Sequence, residues 1–138
     1  MVLDTSVIIH IMTREAGWQQ SLAFLYRQEK KHISAASVVE TQAVLSRDKT
    51  LSKQEHLEQL NKFLLEVDIY IAPLTQKQAN LAREAYLTYG KGQGHKAALN
   101  YGDVMSYALA KATGERLAFV GDDFQYTDLQ VVRLPLET

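Results

Sequence analysis

Four acidic positions lie where a predicted strand ends or a predicted helix begins. They are Asp4, Glu40, Asp103 and one of Asp122 or Asp123. In an open parallel sheet, ligands bind beside the carboxyl ends of the strands, where the N-termini of helices also point. We therefore expect the four carboxylates to share one edge of a sheet.

Carboxylates that lie close together repel one another, and without a cation some of them must take up protons. A hard divalent ion such as Mg²⁺ or Mn²⁺ relieves that repulsion and prefers oxygen ligands. Ions of this kind activate water and stabilise the leaving oxygen when a phosphodiester is hydrolysed. The acidic pattern therefore favours a Mg²⁺- or Mn²⁺-dependent phosphodiesterase that needs no serine or cysteine nucleophile.

Each acidic residue also has a structural interpretation when it is considered alone. Glu40 lies three residues after Ser37, which is the spacing of a capping box at a helix start. Asp103 could complement a helix dipole, and the two acids after Gly121 are typical of a turn. The functional interpretation rests on the common edge where the fold would place all of them.

The elements that must position these residues follow from apolar runs and helical periodicity. Strands are predicted at residues 1–4, 32–36, 69–72, 117–120 and 129–134. Helices are predicted after Asp4 with Thr5 or Ser6 as the cap, from the Ser52 capping box to residue 67, and at residues 18–31, 37–45, 75–89 and 103–113. This alternation predicts an α/β fold in a single domain, residues 1–138. Its central, mostly parallel sheet has about five strands and is flanked by helices.

The composition excludes several classes of protein and site. The 138 residues carry a net charge of −1 and no cysteine. A globally basic nucleic-acid binder, a disulfide framework and a cysteine-based zinc site are therefore excluded. No apolar run reaches the roughly 20 residues of a membrane span, and the N-terminus has no basic leader. We therefore expect a cytoplasmic protein with no membrane partner.

Four segments carry a resemblance to a known family. They are Met-Val-Leu-Asp-Thr-Ser at 1–6, Ser-Val-Val-Glu at 37–40, the glycine-rich stretch 90–103, and Gly-Asp-Asp-Phe at 121–124 followed by Thr-Asp at 127–128. Their order and spacing cover essentially the whole chain. They resemble those of PIN-domain proteins and, within that group, of VapC-type ribonuclease toxins from toxin–antitoxin pairs.

The resemblance implies a PIN-like fold over the whole chain and an endoribonuclease that cuts single-stranded RNA with Mg²⁺ or Mn²⁺. It also implies a homodimer that a cognate antitoxin inhibits. Carried over by position, Asp4 and Asp103 are the metal ligands and Glu40 is the third catalytic acid. Asp123 is favoured as the fourth catalytic acid, and Asp122 is the alternative.

Other residues have supporting roles in this interpretation. Thr5, Ser6 and Asn100 are predicted to hold the carboxylates in place through hydrogen bonds. Lys91 and Lys96, in the glycine-rich loop, are candidate contacts to RNA phosphates, with ordinary solvated charge as the alternative. The rival function is a catalytically silent PIN scaffold that serves only as a binding subunit. Retention of the acidic positions argues against that rival.

Overall fold

The computed structural model describes residues 1–137, and a five-stranded sheet forms the centre of this part of the chain. The strands are β1 Val2–Leu3, β2 Lys31–Ser34, β3 Ile69–Ala72, β4 Leu117–Val120 and β5 Val131–Leu134. Their order is β3-β2-β1-β4-β5, and every neighbouring pair is parallel. The carboxyl ends of the strands therefore lie along one edge, and β1 delivers the residue that follows it to the middle of that edge.

Within residues 1–137, six helices surround this sheet. They are α1 Thr5–Met12, α2 Trp18–Tyr26, α3 Ala35–Leu45, α4 Lys53–Glu66, α5 Gln76–Tyr89 and α6 Tyr101–Thr113. One core cluster joins α5 and α6 to the sheet and includes Ala85, Leu109 and Phe119. A second cluster joins α1, α2 and α4 to the sheet and includes Ile8 and Leu60. Because residues of the sheet belong to both clusters, strands β1, β3, β4 and β5 are rich in apolar residues, whereas β2 has only Ile33.

The predicted fold class is confirmed, since a parallel five-stranded sheet flanked by helices is what the structure contains. The predicted bounds of β3 and β4 match the structure. Helix α2, in contrast, ends at Tyr26 and not at residue 31 as predicted. The helix-favouring residues 27–30 are diverted because Lys31 must begin β2, whose His32 N–H bonds to the Met1 carbonyl at 2.9 Å.

The predicted domain covers residues 1–138, and the described part of it, residues 1–137, is built on the one sheet. Thr138 lies outside the described residues. Throughout the described part, no helix has both the length and the apolar character needed to cross a membrane.

Candidate active site

One cleft beside the ends of β1 and β4 collects the predicted acidic residues. Its volume is about 320 Å³, and its lining comprises Asp4, Thr5, Ser6, Ile9, Glu15, Glu40, Val44, Asp103, Val120 and Asp123. The four acids predicted to be catalytic reach this cleft from different elements: the end of β1, helix α3, the start of α6 and the turn after β4. The common edge expected from the sequence is therefore where these side chains meet.

Asp4 is the first residue after β1 and is almost completely buried. Its Oδ2 atom accepts a hydrogen bond from the Ser6 N–H at 3.0 Å, so Asp4 itself caps α1. The prediction that Thr5 or Ser6 would be the cap is wrong, because Asp4 has the extended conformation that a cap requires and α1 already begins at Thr5. The Oδ1 atom of Asp4 accepts a shorter bond, of 2.6 Å, from Ser106 Oγ. Each carboxylate oxygen is thus held by a donor.

Glu40 lies in the second turn of α3, which begins at Ala35. Ser34 caps this helix by accepting a hydrogen bond of 3.2 Å from a backbone N–H of the first turn. The predicted capping box of Ser37 and Glu40 is therefore wrong, because Ser34 ends β2 in the extended conformation and takes the cap position three residues earlier. The Glu40 carboxylate packs instead against Gly102, where a Cβ atom would overlap with it. Glu40 is consequently free of the structural role that its spacing suggested.

Asp103 lies in the first turn of α6, which begins at Tyr101 and not at residue 103 as predicted. The helix starts earlier because Asn100 caps it, and the two polar side chains form a reciprocal capping box. Asn100 Oδ1 accepts a bond from the Asp103 N–H at 2.8 Å, and Asp103 Oδ2 accepts one from the Asn100 N–H at 3.0 Å. The box fixes the side chain of Asp103, which lines the cleft.

The cleft concentrates negative charge. Burial raises the pKa of the Asp103 carboxyl from 3.8 to about 7, and the charges of Asp4, Asp123 and Glu40 contribute to the rise while the capping hydrogen bond opposes it. The pKa of Asp123 is also raised, first by burial and then by neighbouring acids. Carboxylates that perturb one another in this way are close enough to gain from a shared cation.

The turn after β4 separates the two candidates for the fourth acid. Gly121 enters the turn with a φ of +106°, which glycine adopts readily, and the buried Phe124 anchors the exit by packing against another core phenylalanine at a centroid distance of 5.4 Å. Between them, Asp123 lines the cleft. The exposed Asp122 forms an ion pair of 2.6 Å with Arg133. The geometry therefore favours Asp123 over Asp122.

The predicted supporting residues divide into two groups. Ser6 and Asn100 hold carboxylate oxygens, in each case through the backbone N–H and not the side chain. Ser6 Oγ accepts a bond from the Val120 N–H at 3.0 Å and so ties α1 to β4. Thr5 Oγ1 donates to the Ser37 carbonyl at 3.1 Å, so it fastens α1 to α3 and contacts none of the predicted catalytic acids through this bond.

The predicted RNA contacts, Lys91 and Lys96, are exposed and lie outside the lining of the acidic cleft. Both belong to the glycine-rich loop, which a bridge between Gly90 and Leu99 closes just before α6 begins. The Lys96 ammonium lies 5.2 Å from the centre of the Tyr126 ring. These lysines can therefore act only on parts of a ligand that extend beyond the cleft.

Sequence reasoning missed three residues of the site. Ser106 is a fully buried hydroxyl in the alanine-rich helix α6, three residues after Asp103, and such a polar residue on an apolar helix is a signal for a specific partner. Gly102 is a helical glycine beside an acid, which indicates a close approach by another group. The exposed Glu15, in the connection between α1 and α2, adds a further carboxylate to the rim and no local pattern marks it.

The oxygen atoms that the cleft residues offer are suitable ligands for a divalent cation. Within residues 1–137, no three Asp, Glu, His or Cys side chains form a ready-made metal-binding group. The cleft nevertheless offers carboxylate oxygens from separate elements, and Mg²⁺ and Mn²⁺ prefer such ligands. Burial is the main cause of the raised pKa of Asp103, and the nearby charges of Asp4, Asp123 and Glu40, which add to it, are charges that a cation would neutralise. Asp4 and Asp103 are the best placed to hold the ion, because hydrogen bonds fix both of them and burial removes them from water.

Comparison with known proteins relates this chain to a family. The model of the PIN domain matches residues 1–129. Ribonuclease VapC42 of Mycobacterium tuberculosis is 39% identical over 130 residues, which cover 94% of this chain and 97% of that protein.

Solved structures of other proteins share the fold of this chain. The crystal structure of VapBC2 from Rickettsia felis, bound to a DNA fragment from their promoter, has a TM-score of 0.72 at 19% identity and covers 96% of both chains. A toxin–antitoxin complex from Klebsiella pneumoniae has a TM-score of 0.68 at 20% identity and covers 95% of this chain and 94% of its own. At these identities the likeness concerns the fold alone.

Proposed function

The chain belongs to the PIN-domain family, and from this premise we propose that it is an endoribonuclease of the VapC type, the toxin of a toxin–antitoxin pair. The resemblance predicted from four sequence segments is confirmed by the family match and by the VapC relative. The observation that carries the activity is the convergence of Asp4, Glu40, Asp103 and Asp123 in one cleft. We extend the domain past the matched residues because β5 pairs with β4 and completes the sheet.

The ion proposed for this site is Mg²⁺ or Mn²⁺, held by Asp4 and Asp103. When bound, the ion would neutralise the charge of the cleft and polarise the phosphodiester and its attacking water. Asp4 presents both oxygens in fixed positions, since Ser6 and Ser106 each hold one of them. Asp103 uses Oδ2 in its capping box and keeps Oδ1 for a ligand.

Glu40 is the proposed acceptor of the proton from the attacking water. Its carboxylate is not part of a helix cap, and it lies against Gly102, the residue beside Asp103 in the chain. The water oxygen forms a new bond to phosphorus while its proton passes to a Glu40 carboxylate oxygen. The bond between phosphorus and the leaving oxygen breaks, its electron pair stays on the leaving oxygen, and that oxygen takes up a proton from solvent water. Asp123, which follows β4 and lines the same cleft, is proposed to orient the reactants.

The proposed substrate is single-stranded RNA, as family membership suggests. An acidic cleft repels phosphates unless a cation is present, so positive charge for RNA must come from outside the cleft. Lys91 and Lys96 are the proposed contacts because both are exposed on the loop that leads to Asn100 and α6. Because the proposed substrate is RNA, we propose that the protein acts in the cytoplasm.

An antitoxin and a second copy of the chain are the proposed protein partners. A groove of about 460 Å³ between α1, α3 and the start of α4 has apolar lining residues that include Met12, Val44 and Leu45. Such a groove suits an apolar segment of an antitoxin. Leu65 on α4 and Leu87 on α5 are 83% and 72% exposed, which supports further apolar contact between subunits.

The test is cleavage of end-labelled, random-sequence single-stranded RNA by the purified chain. We expect cleavage with Mg²⁺ or Mn²⁺, none with EDTA, and a loss of more than about 100-fold in Asp4→Asn and Asp103→Asn. Asp123→Asn should also be impaired. Asp122→Asn is the matched control, because the same charge is removed from a residue that pairs with Arg133 outside the cleft. Absence of metal-dependent cleavage from all RNAs would favour the silent scaffold instead.

A further inference from the structure

Two buried serines connect the cleft to the core of the molecule. Ser106, on α6, is 0% exposed, and its Oγ lies 2.6 Å from Asp4 Oδ1. Ser37, on α3, is 1% exposed, and its Oγ lies 3.2 Å from Ser106 Oγ. The three residues thus form a chain of hydrogen bonds that joins α3, α6 and the end of β1.

The chemistry of the groups fixes the direction of this chain. A carboxylate only accepts hydrogen bonds, so Ser106 must donate its single proton to Asp4. Ser106 can then only accept from Ser37, which must be the donor of the second bond. A hydroxyl-to-carboxylate bond of 2.6 Å is in the range of short, charge-assisted bonds. The order of donation is therefore Ser37 to Ser106 to Asp4.

The position of Ser106 along α6 places its bond to Asp4 on the helix face that meets the other acids. Residues four apart lie on the same face of a helix, and Ser106 is four residues after Gly102 and three after Asp103. Gly102 receives the Glu40 carboxylate, Asp103 is itself in the cleft, and Ser106 holds Asp4. One face of α6 therefore contacts or supplies three of the four acids.

We propose that Ser106 is a positioning residue, which orients the Asp4 carboxylate for the divalent cation and is itself oriented by Ser37. This inference rests on the proposed function, since it assumes that Asp4 holds the ion. Loss of a group that orients a metal ligand typically weakens metal binding or activity by about 10- to 100-fold. A serine that merely satisfies polar atoms in the core would affect stability alone.

The test measures binding of Mn²⁺ alone, by isothermal titration calorimetry on the full-length chain. We expect Ser106→Ala to weaken Mn²⁺ binding by about 10- to 100-fold. Its kcat for RNA cleavage should fall at saturating RNA while KM changes little. Ser21→Ala is the matched control, because Ser21 is also 0% exposed and bonded to a core side chain, His10 Nε2, at 2.9 Å. This control should lose stability and keep wild-type affinity for Mn²⁺.

The outcomes separate this inference from the function on which it rests. If the wild type binds Mn²⁺ and cleaves RNA but Ser106→Ala equals it in both, Ser106 has no positioning role and the proposed function stands. If the wild type neither binds Mn²⁺ nor cleaves RNA, both are overturned. Should Ser106→Ala fail to fold, Ser37→Ala decides: a loss of Mn²⁺ affinity that Ser21→Ala does not share supports the inference, and unchanged affinity overturns it.

Discussion

Replacing Asp103 with asparagine should stabilise the metal-free protein at neutral and alkaline pH. Residue Asp103 is 8% exposed, and the pKa of its carboxyl is raised from 3.8 to about 7, mainly by burial and further by the charges of Asp4, Asp123 and Glu40. Ionisation of Asp103 therefore costs folding free energy in the absence of a cation. Asparagine keeps an oxygen that can accept the capping bond from the Asn100 N–H, so the substitution removes the charge and retains the geometry.

The sign and size of the effect follow from the two pKa values of Asp103. The stabilising contribution of its proton is fully present below about pH 3.8 and is lost as the pH rises through about 7, because only the folded chain holds the proton in that interval. The change from 3.8 to about 7 is equivalent to about 4 kcal/mol, at about 1.4 kcal/mol for each tenfold change in proton binding. Relaxation and water entry reduce this value. We expect the advantage of the variant to grow by about 1 to 3 kcal/mol between pH 4.5 and 8.

Urea denaturation in EDTA measures this prediction directly, as the free energy of unfolding at several pH values. The wild-type curve should fall toward neutral pH relative to the curve of Asp103→Asn. Glu84→Gln, on an exposed part of α5, controls for the general effect of removing one negative charge. If the wild type and Asp103→Asn give parallel curves, ionisation of Asp103 does not cost folding free energy and the electrostatic description of the cleft is wrong.

Three further changes test other parts of the cleft. Gly102→Ala should lower RNA cleavage at least about 10-fold yet change urea stability by less than about 1 kcal/mol, because the three atoms nearest to the new methyl group all belong to the flexible end of Glu40. In thermal melts, Mn²⁺ at about 100 times its Kd should stabilise the wild type by about 2.7 kcal/mol, and Asp4→Asn should lose that effect. Replacing Lys91 and Lys96 with alanine should reduce the slope of log Kd against log salt for single-stranded RNA by about 1.4, as fluorescence anisotropy would measure.

A double-mutant cycle controls the first of these changes. If Gly102 acts through Glu40, adding Gly102→Ala to a Glu40→Gln protein should cause little further loss of cleavage. Losses that multiply would mean that the alanine disturbs something other than Glu40. An equal response of wild type and Asp4→Asn to Mn²⁺ would argue against Asp4 as a ligand, and an unchanged salt slope would return the two lysines to ordinary solvated charge.

Local signals in the sequence predicted the strands and the edge at which the acids meet. The apolar runs 69–72 and 117–120 are bounded by residues that end strands, and their bounds are those of β3 and β4. Asp4 and Asp123 could be assigned to the same edge because each follows a strand of a sheet predicted to be parallel. This part of the prediction needs only the pattern of the chain and the handedness of its connections.

The errors at helix starts have a common physical cause. Several polar residues near a helix start can each serve as its cap, and the backbone conformation set by the preceding strand selects among them. Ser34 was preferred over Ser37 because it ends β2 in an extended conformation, and Asp4 was preferred over Thr5 because it ends β1 in the same way. Sequence alone shows the candidates, whereas the register of the sheet decides between them.

Contacts between residues that are far apart in the sequence could not be predicted from the sequence. The bond from Ser106 to Asp4 joins residues 102 positions apart, and the contact between Gly102 and Glu40 depends on how α6 packs against α3. The sequence carries only the trace of these contacts, as a buried hydroxyl and a helical glycine in α6. Such traces indicate that a partner exists without identifying it.

The capping box at the start of α6 links the stability of this helix to the geometry of the cleft. Asp103 caps the helix with Oδ2 and also lines the cleft, so one side chain serves the fold and the proposed chemistry together. The first turns of α6 also hold Glu40 through Gly102 and Asp4 through Ser106. Fraying of this helix start would therefore change the surroundings of Asp103, Glu40 and Asp4 at once. For the same reason, a cation bound between Asp4 and Asp103 would oppose fraying, because it would join the start of α6 to the end of β1.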